Sequence, residues 1–98
     1  MNIKTKTEGE HFEQLIEALS KVKWRAKFQI WDIDSLHEAS KHAGALAFYR
    51  TDIQWDKIAV IIDELTKTRP LLTNYRNIVI LLGQAIINAK KLMNKGVN

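Results

Sequence analysis

Apolar residues recur at intervals of three and four along most of this chain. Phe12, Leu15, Ile16, Leu19 and Val22 form one run, and Leu36, Ala39, Ala43, Leu46 and Ala47 a second. Trp55, Ile58, Ile61, Ile62 and Leu65 form a third, and Leu71, Tyr75, Ile78, Leu82, Ala85, Ile86, Ala89 and Met93 a fourth. That spacing returns side chains to one side of an α-helix, so four amphipathic helices are predicted.

Capping chemistry sets their limits. TEGE reads as a capping box between Thr7 and Glu10 and opens a helix over 8–23. Asp32, Asp34 and Ser35 each have cap-forming side chains, Ser35 and Glu38 repeat the box spacing, and a helix over 34–49 follows. Thr51 with Gln54 opens a third helix that reaches Lys67, where Thr68-Arg69-Pro70 ends it, because the residue before proline is pushed out of the helical region. Pro70 suits the first turn of a last helix over 71–94, with Lys90, Lys91 and Lys95 near its negative end and Gly96 as a stop.

The segment WRAKFQIW between the first two helices breaks the rhythm. Trp24, Ala26, Phe28 and Ile30 alternate with Arg25, Lys27 and Gln29 as in a half-buried strand. A helical reading puts Ala26 and Ile30 on the first stripe but brings Lys23 and Lys27 to the core edge. The expectation is therefore an all-α, single-domain antiparallel bundle of about four helices over 1–98, with an irregular or short extended segment near 24–31. Residues 1–7 and 96–98 are expected to be flexible ends.

Composition narrows the functional classes. A chain of 98 residues with one Pro and four Gly has room for one modest core and few long loops. It lacks cysteine, which removes disulfides, thiolate metal sites and thiol nucleophiles, and the reading is a cytoplasmic protein. Neither a secretory leader nor a run of about 20 apolar residues is visible, so no membrane partner is expected. The formal charge of +4 favours acidic proteins or nucleic acid.

Two surfaces attract attention. On the last helix Ile80 and Ile87 fall nearly opposite the broad apolar face, with Gly83 between them and Arg76, Lys90 and Lys91 around them. They are either covered by a neighbouring helix or form an outward apolar stripe with a basic rim, in which Gly83 permits a close backbone approach. In the second, Lys21, Lys23, Arg25 and Lys27 interleave with Trp24, Phe28 and Trp31, the mixture that neutralises phosphates and stacks bases in single-stranded nucleic-acid binders. Aromatic residues in so small a domain also serve as core plugs, with lysines as their wet rim.

Nothing reads as catalytic. His37 and His42 are five apart, so their rings diverge on a helix and form no HExxH pair, and they read as exposed or capping residues without a metal. Asp32 with Asp34 is explained by capping and Asp63 with Glu64 by a solvated helix face. No cofactor is expected. The sequence leads to a small non-catalytic module that binds another protein, either a second copy or a larger and acidic enzyme, in the manner of an inhibitor, immunity or mobile-element accessory protein. The alternative is nucleic-acid binding through 21–31.

Overall fold

The computed structural model describes residues 7–49 and 55–97. They form α1 (Glu8–Ala26), α2 (Ile33–Tyr49), α3 (Trp55–Thr66), a short 3-10 turn (Leu72–Asn74) and α4 (Tyr75–Val97), with no strand among the described residues. The all-α bundle expected from the periodicity is the observed fold. The Thr51/Gln54 capping box lies outside the described residues.

Helix α1 starts as its first residues dictate. Thr7 Oγ1 accepts from the Glu10 amide at 3.2 Å, and the Thr7 amide donates to Glu10 Oε1 at 3.1 Å. Its stripe then buries Leu15, Leu19 and Val22 completely. Removing each such side chain from water contributes about 1.5–3 kcal/mol.

The segment after residue 23 departs from expectation. Helix α1 continues through Trp24 and Arg25 to Ala26, which is fully buried and extends the stripe by one turn. It then closes with two bonds, Ile30 amide to Arg25 carbonyl and Gln29 amide to Ala26 carbonyl, both 3.0 Å. This is a Schellman turn, and no extended strand forms. Its left-handed position falls on Gln29 (φ 60°), where the Cβ crowds the backbone. Glycine relieves that crowding, so Gln29→Gly is expected to raise stability by up to about 1 kcal/mol, read as a higher urea midpoint at an unchanged slope.

The turn delivers the chain to Asp32, which caps α2. Asp32 Oδ1 accepts from the Ser35 amide at 3.1 Å, and Oδ2 accepts from the Ser35 hydroxyl at 2.6 Å and the Arg25 guanidinium at 2.7 Å. Ser35 is therefore a donor within the first turn and not itself the cap. One carboxylate both starts α2 and ties it to the last turn of α1.

Packed pairs are α1 with α2, α2 with α3, and α1 with α4. Leu36, Ala39, Ala43 and Leu46 are fully buried on α2, where small alanines permit close approach of its neighbours. Trp55 at the start of α3 is also fully buried and meets the edge of Phe12, with ring centroids 6.3 Å apart. Helix α4 rests chiefly on α1, burying Tyr75, Ile78, Leu82 and Ala89.

Two apolar residues assigned to the core lie outside it: Ile61 and Leu71 are both more than half exposed. The last helix also begins later than the proline suggested. Leu71 is extended, the 3-10 turn intervenes, and α4 starts at Tyr75, leaving Pro70 in the connection. Its other end passes through Gly96 to Val97, so Gly96 does not stop the helix.

Candidate interaction surface

Helix α4 has the length and apolar content of a helix enclosed on all sides, yet among the described residues only one helix, α1, packs closely against it. Its outward positions consequently remain in water. Ile80 is 53% exposed and Ile87 54% exposed, nearly opposite the buried Leu82 and Ala89. Arg76, Lys90 and Lys91 are exposed around them. No Asp or Glu follows Glu64 in the sequence, so every charged residue of this helix, Arg76, Lys90, Lys91 and Lys95, is positive.

Gly83 occupies a different place from the one its spacing implied. A Cβ built there would stand 3.5 Å from Lys23 Nζ and 3.7 Å from Lys23 Cε, so the glycine faces the α1 seam. These are ordinary contact distances, and no neighbouring backbone fills the space. Gly83 thus serves no close backbone approach among the described residues; the end of the Lys23 side chain, Nζ and Cε, passes beside it.

The antiparallel course of α1 and α4 brings the two candidate surfaces into contact at one end. Ala26, Lys27 and Gln29 from the end of α1 face Tyr75, Arg76, Val79 and Ile80 from the start of α4 across a groove of about 520 Å³. Lys27 and Arg76 stand at its polar margin and Val79 and Ile80 supply aliphatic surface. Gln29 and Val79 were assigned to neither surface by sequence and Tyr75 only to the core stripe, since only the turn after Ala26 carries Gln29 to α4. Lys90 and Lys91 are about 15 Å or more along the axis from Ile80, so they do not belong to this groove.

The aromatic residues of 21–31 divide. Trp24 and Phe28 are 62% and 58% exposed, in an edge-to-face pair with centroids 5.3 Å apart, and Lys27 Nζ lies 5.8 Å from the Trp24 ring. They are surface residues and not core plugs. Trp31 is half-buried and instead meets Tyr75 edge-on at 6.3 Å, beside a second cleft lined by Ile33 and Thr66–Pro70. Its indole N–H is buried without an acceptor among the described residues. The cations divide as well: Arg25 is engaged by Asp32, Lys21 pairs with Glu17 at 3.6 Å, and Lys23 lies against Gly83.

Burial disfavours the charged form of Asp32 and is the largest single influence on it. The bonds from the Ser35 hydroxyl and amide, with the Arg25 guanidinium, together outweigh burial and hold the carboxyl below its ordinary range.

His42 corrects another expectation. It is 2% exposed, its Nδ1 lies 3.0 Å from His11 Nδ1, and its Nε2 lies 3.4 Å from Glu38. One of the facing nitrogens must donate and the other accept, so the pair joins α1 to α2 as a single hydrogen bond. The residues are 31 positions apart, and no local pattern connects them. His37 stays exposed. No group of three or more His, Cys, Asp or Glu among the described residues is arranged to hold a metal ion.

The fold and surface define a small helical bundle with an apolar, cationic face, and no described helix is long and apolar enough to cross a membrane. No family model, curated protein or solved structure matches the chain.

Proposed function

We propose that the protein is a non-catalytic binding module that docks on a larger protein through the outward face of α4, as an inhibitor, immunity or accessory protein does. The observation that carries this reading is the exposure of Ile80 and Ile87 on a helix with no acidic residue. Apolar surface of this kind gains by leaving water, while the surrounding Arg76, Lys90 and Lys91 orient the encounter. A second reading, binding of single-stranded nucleic acid, is favoured by one observation: Trp24 and Phe28 are exposed beside Lys27.

Photocrosslinking in the source cells separates them. A benzophenone amino acid at position 80 or 87 is expected to form protein adducts that the same probe at exposed position 57 on α3 does not form. Nucleic-acid adducts from position 24, with no protein adducts from 80 or 87, would replace the first reading by the second. Ile80→Lys with Ile87→Lys is expected to abolish the protein adducts formed by a probe at exposed position 84. The same change should alter folding stability by less than about 1 kcal/mol, because both side chains already lie more than half in water.

A further inference from the structure

We infer that the groove between the end of α1 and the start of α4 receives an acidic helical segment of a partner protein. An apolar side chain of that segment lodges against Val79 and Ile80, and its carboxylates meet Lys27 and Arg76. The inference rests on the protein-binding reading above and specifies where and what the module binds.

Charge identifies the occupant. From Ala18 to Trp31 the chain has no acidic residue, and after Glu64 it has none, so both walls of the groove come from segments carrying only positive charge. The nearest carboxylate in sequence, Asp32, is buried and bonded to Arg25 and Ser35. A second copy presenting the same face would bring Lys27 and Arg76 against further cations with no carboxylate to meet them, which opposes a symmetric dimer as the natural occupant. An acidic segment meets these cations without an opposing charge.

Shape and surface chemistry favour protein over nucleic acid. Of the lining residues, Ala26, Val79 and Ile80 are aliphatic and the one aromatic ring, Tyr75, is 7% exposed. A base has no open ring to stack on there, since Trp24 and Phe28 do not line the groove. No described strand offers an edge for β-augmentation, so recognition falls to side chains. A volume of about 520 Å³ is of the size that encloses an anchoring group, and a groove between two antiparallel helices suits an amphipathic helix laid along it.

The test uses two synthetic amphipathic helical peptides, identical on the Leu/Phe face, one carrying Glu and the other Lys on the polar face. Fluorescence anisotropy with the full chain is expected to give at least about tenfold tighter binding of the Glu peptide, weakening as sodium chloride is raised. Amide signals of Lys27, Arg76 and Ile80 should shift on its addition. Lys27→Glu with Arg76→Glu should cost about tenfold or more in affinity, while Lys57→Glu on α3 should leave it unchanged. Absence of Glu-peptide binding overturns the inference, as does equal binding of both peptides. So does binding indifferent to Lys27 and Arg76, or displacement of the Glu peptide by a competing oligothymidylate. Each of these can occur while crosslinks at positions 80 and 87 persist, which would leave the protein-binding reading standing; loss of those crosslinks would remove that reading itself.

Discussion

Trp55→Ala is expected to lower the unfolding free energy by about 3–5 kcal/mol. Trp55 is the largest fully buried side chain, placed at the first turn of α3 and against Phe12 of α1. It therefore links α3 to a helix other than α2, its main packing partner. Removing the indole loses its transfer free energy and leaves a cavity that the surrounding helices cannot fully close. A domain of this size has about 5–15 kcal/mol of total stability, so the loss is at least about a fifth of it. Urea unfolding followed by circular dichroism measures the loss. Trp55→Phe should cost much less, about 1–2 kcal/mol, because it keeps a ring and removes an N–H that has no acceptor among the described residues. Equal losses in the two variants would mean that a phenyl ring at this position recovers none of the packing of the indole.

Asp32→Ala is expected to cost about 2 kcal/mol at neutral pH. Roughly half is the lost N-cap of α2 and roughly half the charge-assisted bond to Arg25, discounted because that guanidinium stands half in water. The acid dependence follows from the same carboxyl. Its ionisation is easier in the folded chain than in the unfolded one, so its contribution is fully present above the unfolded value near 3.8. That contribution disappears as pH falls through the lower folded value. Wild-type protein should therefore lose stability in strongly acidic solution, and Asp32→Asn should lose less over the same range. The asparagine keeps an acceptor for the Ser35 amide but has no charge to titrate, so its neutral-pH stability should lie between those of wild type and Asp32→Ala. Unfolding midpoints at neutral pH and below pH ~4 compare the three chains.

Both predictions concern the junctions between helices, and there sequence and structure part company. The Thr7/Glu10 box, the start of α2 beside Asp32 and the stripes of α1 and α2 were legible because each depends on residues within a turn or two of one another. Asp32 appeared in sequence as one of three possible caps. Its selection over Asp34 and Ser35 required the Schellman turn at Gln29, which returns the chain so that Arg25 reaches the carboxylate. That turn was hidden by an alternation of apolar and polar residues, and burial of Ala26 against neighbouring helices outweighs the alternation.

The candidate surface was legible in part. The nearly opposite placement of Ile80 and Ile87 to the core face follows from α-helical periodicity alone. Their exposure does not, because a helix apolar on two sides is satisfied equally well by one neighbour or by two. The observed packing gives α4 one close helical partner, α1, and so leaves the second stripe in water. The aromatic segment shows the converse: its composition fitted a buried plug as well as a surface, and the extension of α1 to Ala26 turned Trp24 and Phe28 outward.

By itself, then, the sequence determined the helices, the Thr7/Glu10 cap and most of the stripe each buries, since these follow from backbone geometry and from neighbours three and four residues away. Tertiary structure alone decided the His11–His42 contact, the groove joining Lys27 to Arg76 and Ile80, and the exposure of the second stripe on α4. Each depends on which helix lies beside which, and that choice is made by the sum of burial over the whole domain.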